Sequence, residues 1–92
     1  MIREFDASRY LDDEETIASY LAAALEDPDP DAFLVALGDV AKARGITQLA
    51  RDTGLRRESL YKTFAPGKRP QFDTVLKVTQ ALGLSLSIKA HA

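Results

Sequence analysis

Apolar residues recur along most of this chain with the spacing of helices, and the interruptions fall at proline and glycine. Ile17, Leu21 and Leu25 follow one another at four-residue intervals, and Asp12 stands three residues before Glu15, the spacing of a capping box; together they predict a helix over 13–26. Asp27-Pro28-Asp29-Pro30 ends it. Asp29 and Pro30 then offer an N-cap and a first-turn proline to a second helix, with Phe33, Leu34, Leu37, Val40 and Ala41 facing inward. Lys42 and Arg44 suit the negative end of that helix, and Gly45 is expected to cap it. Two short helices over 48–53 and 57–64 come next, separated by Gly54-Leu55. Ala65-Pro66-Gly67-Lys68-Arg69-Pro70 is a loop that no helix can cross. Asp73 is expected to cap a fifth helix carrying Val75, Leu76, Val78 and Leu82, with Gly83 as its stop.

The pattern changes after Gly83. Leu84-Ser85-Leu86-Ser87-Ile88-Lys89 alternates apolar and polar residues, which predicts a short half-buried β-strand. A strand needs a partner for its backbone. A second copy across a two-fold axis is the economical one, so a homodimer through Leu84 to Lys89 is expected. At 92 residues the chain suits one small, mainly α domain with little stability to spare. Its parts are an acidic helical region over 1–44, a core over 45–83 and the strand region over 84–92.

Charge sharpens this division. Residues 1–40 carry two basic residues, Arg3 and Arg9, against eleven acids, a net charge of −9. Residues 41–92 carry ten basic residues against Asp52, Glu58 and Asp73, a net charge of +7. The overall −2 conceals a molecule whose one half attracts phosphate while the other repels it. The acidic half suits a basic protein partner.

The composition argues against other classes. Cysteine is absent and the single histidine, His91, is the penultimate residue, so no metal site, cofactor or Ser/His/Asp or Cys/His catalytic set is expected. The carboxylates Asp12, Asp13, Glu14 and Glu15 read as charges at a helix start. No apolar run approaches the roughly 18 residues of a membrane span. Met1-Ile2-Arg3-Glu4-Phe5-Asp6 lacks the basic-then-apolar order of a signal peptide, which predicts a cytoplasmic protein and no enzyme.

The segment from Thr47 to Phe64 resembles the helix-turn-helix of the lambda Cro and repressor class. Ala50 is small where two helices cross, Gly54 four residues later permits a positive φ, and Leu55 and Leu60 fill the space beneath. The fold implied is a five-helix, lambda repressor-like DNA-binding domain. Its second short helix would enter the major groove, bringing Arg56, Arg57, Glu58, Ser59, Tyr61 and Lys62 to base edges or phosphates. Arg57 and Lys62 are the expected base readers, since arginine can form two parallel bonds to guanine. Glu58 either accepts from a cytosine or orients Lys62 one turn along. Thr47 and Gln48 are expected at phosphate. Lys68 and Arg69 either touch the backbone or decorate a solvated loop.

Beyond that segment, Phe5-Asp6-Ala7, Tyr10-Leu11-Asp12, Glu14-Glu15 leading into Ile17-Ala18-Ser19-Tyr20-Leu21, Leu37-Gly38-Asp39-Val40-Ala41, Gly45-Ile46-Thr47-Gln48-Leu49-Ala50 and Glu58-Ser59-Leu60-Tyr61-Lys62 are similar to HigA-like addiction-module antidotes. The similarity also takes in Phe72, Thr74-Val75-Leu76-Lys77-Val78 and Ala81-Leu82-Gly83-Leu84. It implies an antitoxin that binds operator DNA to repress its own operon and neutralises a RelE/ParE-type toxin. The alternative is a stand-alone prophage or bacterial regulator without a toxin. Candidate toxin contacts are Tyr10, Asp13, Glu14, Ile17, Tyr20 and Leu21, although an apolar stripe such as Ile17, Leu21, Leu25 and Tyr20 is more often core than a binding groove. One departure stands out. Family members usually start the recognition helix with serine, where this chain has Arg56. The exchange forfeits a hydroxyl cap worth roughly 1 kcal/mol and sets a cation at the positive end of a helix, sensible if a phosphate or guanine offsets it. Otherwise Arg57 or a solvent-bridged amide caps the helix.

Overall fold

A computed structural model describes residues 13–65 and 67–90. It contains five helices: α1 (Glu14–Leu25), α2 (Pro30–Arg44), α3 (Ile46–Thr53), α4 (Arg57–Thr63) and α5 (Phe72–Ala81). The expected five-helix order is therefore present. Tyr10, Asp12 and His91 lie outside the described residues.

Each boundary has a local cause. Asp13 caps α1, its carboxylate accepting from the Thr16 amide at 2.7 Å and from the Thr16 hydroxyl at 3.0 Å. These bonds hold the Asp13 carboxyl below its ordinary value, the backbone bond contributing most. The cap thus falls one residue later than the Asp12–Glu15 spacing suggests. The Asp29 carboxylate caps α2 by accepting from the Asp31 amide at 2.9 Å, with Pro30 in the first turn as expected. Gly45, at φ 109°, ends α2 and begins α3 at once: its amide donates to Ala41 and its carbonyl accepts from Leu49. That double use lets α3 start at Ile46, two residues before the expected position.

The α5 boundary departs from expectation as well. Gln71, not Asp73, occupies the N-cap, and its carbonyl accepts from the Val75 amide at 3.2 Å. Asp73 stands inside the first turn, where its charge still suits the helix dipole. Pro70 lies just ahead of the cap, where no amide hydrogen is demanded. At the other end, the Gly83 amide donates to Gln80 and the Leu84 amide to Thr79, with Gly83 at φ 83°. This is the Schellman pattern expected of a glycine stop.

The core joins all five helices. Ile17 and Leu21 of α1, Ala36, Leu37, Val40 and Ala41 of α2, Ile46 and Leu49 of α3, Leu60 of α4 and Val78 of α5 form one buried cluster, completed by Leu82. α1 packs along α2, and α3 contacts α2, α4 and α5. α3 is thus the central strut. Where α2 meets the end of α4, Gly38 leaves room for Phe64: a Cβ at Gly38 would lie 3.1 Å from that of Phe64. The buried Thr79 hydroxyl is satisfied by the Leu76 carbonyl at 2.9 Å.

The C-terminal strand is corrected. Residues 84–90 adopt no regular secondary structure, and no β-strand occurs among the described residues. The physical reason is non-local: alternation selects a face, but a ladder requires a second strand, and the described residues before Gly83 supply only helices and the turns between them.

Candidate nucleic-acid interface

The turn between α3 and α4, where the helix-turn-helix is expected, is built from three local devices. Gly54 adopts φ 76°, the left-handed region that the turn requires, and its amide closes α3 on the Ala50 carbonyl at 3.0 Å. Thr53 then fixes the exit. Its hydroxyl donates to the Leu49 carbonyl at 2.7 Å and accepts from the Leu55 amide at 3.2 Å. Leu60, fully buried, anchors α4 to the core, with Ala50 and Leu55 packed partly against the same cluster.

With Leu60 turned inward, the rest of α4 is spent on solvent. Arg56, Arg57, Glu58, Ser59, Tyr61 and Lys62 are all exposed. Tyr61 is the large apolar surface among them at 51% exposure, one helical turn from Arg57. Arg56 occupies the N-cap, and no side chain hydrogen-bonds to the start of the helix. The first amides of α4 are therefore without a side-chain cap, and the two residues at that end, Arg56 and Arg57, are both exposed. Neither Arg56 nor Arg57 replaces the missing hydroxyl.

Around α4 the positive charge continues. Arg51 on α3 and Lys68 and Arg69 in the following loop are exposed, as are Thr47 and Gln48. Gln48 donates its side-chain amide to Asp52 at 2.9 Å, which keeps it extended along the α3 surface with its carbonyl oxygen unspent in this bond. The ten residues expected to face DNA thus lie on α3, α4 and the adjoining segments, every one exposed. Thr53 is the contributor that patterning missed. Its signal is a threonine directly before the turn glycine, the place for a hydroxyl to bridge two backbone groups.

The candidate toxin contacts divide differently. Ile17 and Leu21 are 0% and 4% exposed, so their side chains belong to the core and offer nothing to a partner in this conformation. Tyr20 is half-buried, and its hydroxyl donates to the Asp39 carboxylate at 3.0 Å, tying α1 to α2. Burial, and then the neighbouring carboxylate, push the Tyr20 hydroxyl above its ordinary pKa. Asp13 and Glu14 are exposed; the first is engaged as a cap and the second lies over Gly83. Among the described residues there is no grouping of three or more His, Cys, Asp or Glu that could hold a metal ion, and no helix long and apolar enough to cross a membrane.

Comparison with known proteins adds a family. A family model described as "Probable addiction module antidote protein" matches residues 1–90. An uncharacterised protein of Haemophilus influenzae strain Rd is 41% identical over 88 residues, spanning 96% of this chain and 91% of that protein. No solved structure matches the chain.

Proposed function

The chain belongs to the family of probable addiction module antidote proteins, and from that membership we propose that it is the antitoxin of a type II toxin–antitoxin pair, a cytoplasmic, non-enzymatic protein that binds operator DNA through α3 and α4. The observation that carries the DNA reading is α4 itself: one buried leucine, and around it exposed Arg56, Arg57, Ser59, Tyr61 and Lys62, with uncapped amides at the start. A helix fixed from beneath and free on its outer face can enter a major groove as a rigid element, in the manner of the lambda repressor class. Arg57 and Lys62 read bases. Arg56, Thr47, Gln48, Lys68 and Arg69 hold phosphate, which makes the affinity salt-dependent. As a homodimer the protein would address an inverted repeat and repress its own operon.

The partner on the acidic side is a basic toxin of the RelE/ParE type, as the HigA-like resemblance implies. Burial of Ile17 and Leu21 narrows its contact surface to the exposed carboxylates of α1 and of the α1–α2 turn, with Tyr20 at the edge. Titration of the protein against its own upstream DNA and a scrambled duplex, over several salt concentrations, tests the DNA reading. Specific binders prefer their site by about 10³-fold or more. Arg57→Ala should cost roughly 5- to 150-fold on the native site and little on the scrambled one. Equal, weak binding to both duplexes would overturn the operator reading, and co-purification with the product of a neighbouring gene tests the toxin separately.

A further inference from the structure

The outer face of α4 divides into unlike parts. Successive helical residues turn by about 100°, so with Leu60 buried beneath the helix, Glu58 and Lys62 fall on the side opposite it. Arg57 and Tyr61 share one flank, about 40° apart. The last turn is closed behind them: the Thr63 hydroxyl donates to the Ser59 carbonyl at 2.8 Å, and the Phe64 amide to the Leu60 carbonyl at 3.3 Å. Tyr61 is the residue whose chemistry differs from its surroundings. The large apolar side chains exposed among the described residues are Leu25, Val35, Tyr61, Phe72, Leu86 and Ile88, and of these Tyr61 alone belongs to α3 or α4. A major groove has a matching exception. Base-pair edges present hydrogen-bond donors and acceptors there, together with one apolar group, the methyl on C5 of thymine. Arg57, Glu58, Ser59 and Lys62 suit the polar edges, and an aromatic ring suits the methyl.

We propose that the Tyr61 ring recognises a pyrimidine C5-methyl group beside the guanine read by Arg57. This assignment rests on the operator reading above and adds the base feature that Tyr61 selects. Four residues advance about 6 Å along a helix, and base pairs follow one another about every 3.4 Å, so the methyl belongs one or two base pairs from that guanine. Thymine carries the group by nature. A cytosine methylated on C5 presents the same group at the same place in the groove, whereas unmodified cytosine offers only a hydrogen. Tyr61 therefore favours thymine over cytosine at its position, and methylation of a cytosine there restores the contact. The ring performs the recognition and the hydroxyl does not.

The full-length protein is titrated by fluorescence anisotropy against its own upstream duplex, with the thymines of the protected site replaced singly by deoxyuridine. That exchange removes the methyl and keeps every hydrogen-bonding group. At the position covered by Tyr61 it should weaken the wild type about fourfold, the worth of one buried methyl group. Tyr61→Ala should bind the intact site less well and ignore the exchange, while Tyr61→Phe should respond as the wild type does. A loss on deoxyuridine identifies thymine as the source of the methyl. A site without that loss, in which 5-methylcytosine binds about fourfold tighter than cytosine, identifies the methylated base instead. Indifference to both exchanges, or an equal response in Tyr61→Ala, overturns the methyl contact while preference for the native duplex keeps the operator reading standing. Equal damage from Tyr61→Phe and Tyr61→Ala gives the role to the hydroxyl and overturns it too. Native and scrambled duplexes bound alike would remove the operator reading and this one with it.

Discussion

Replacing Gly54 by alanine isolates the conformational cost of the turn that aims α4. The residue sits at φ 76°, and a Cβ built there meets nothing within 4 Å, so no packing penalty joins the backbone one. An L-residue forced into the left-handed region loses roughly 1–2 kcal/mol. Alanine also restricts the unfolded chain, which returns about 0.4–1 kcal/mol. The net expectation is a destabilisation of about 1 kcal/mol, or a fall in Tm of about 4–8 °C for a domain of this size. Gly54→Asn should recover much of it, since asparagine tolerates this region. Gly83 provides the comparison. It has φ 83°, and the space of its missing Cβ is taken by the Glu14 carboxylate, the free end of an exposed side chain that can swing aside, so Gly83→Ala should cost about as much as Gly54→Ala. In a Glu14→Ala background that cost should be unchanged, an absence of coupling that a double-mutant cycle measures directly. Urea or thermal unfolding of the five variants, both singles and the double of that cycle included, beside the wild type, followed by circular dichroism, provides the assay. A Gly54→Ala protein that unfolds as wild type, or one damaged by several kcal/mol with asparagine no better, would refute the reasoning.

Thr53→Val keeps the shape of the side chain but removes both bonds of the hydroxyl, leaving the half-buried Leu55 amide without its partner; denaturant titration should register a loss of about 1 kcal/mol. Asp13 has a carboxyl held below its ordinary value of 3.8 in the folded chain, so its stabilising effect is present above the unfolded pKa and lost as pH falls through the folded one. Unfolding measured between pH 5 and 2 should therefore show a shallower acid loss for Asp13→Asn, which retains an N-cap acceptor without the charge; an identical acid limb would count against the cap.

Much of the helical framework was legible because its signals are local. Asp29-Pro30, Gly45, Gly54 and Gly83 each announce a boundary through a backbone property of the residue itself, and each occupies the role expected of it. Errors arose where two neighbours compete or one residue serves twice. Asp12 and Asp13 are equivalent cap candidates by residue type, and it is the Asp13 carboxylate that accepts from the Thr16 amide and hydroxyl. Gly45 ends one helix and starts the next, which patterning reads as a gap. The site followed the same division. Exposure of Arg56, Arg57 and Lys62 around a buried Leu60 could be anticipated from helical period alone, but the Thr53 bridge depends on backbone positions that no spacing rule encodes. Ile17 and Leu21 form an apolar stripe whether their own chain or a partner covers it. In this fold α2 covers it, and the strand expected after Gly83 is absent because its partner would have to come from elsewhere.

The charge division along the sequence is not a division into two ends of the fold: Asp31 and Asp39 of α2 line the same surface hollow as Lys68. Charges in solution are screened over about 8 Å at physiological salt and about 30 Å at 0.01 M. A basic partner neutralising the carboxylates of α1 therefore changes the potential felt by phosphate at α4 more in dilute salt than at physiological strength. An influence insensitive to salt passes through contact. The available path is short: Tyr20 is bonded to Asp39, Leu37 and Val40 pack from α2 into the cluster that holds Leu49, and α3 carries α4. The structure holds these groups in one arrangement, whereas coupling requires two states with different affinities. The proposed homodimer supplies an alternative: a ligand on α1 that favours or disfavours association of two copies would alter operator affinity through the number of α4 helices engaged, with each α4 left unchanged.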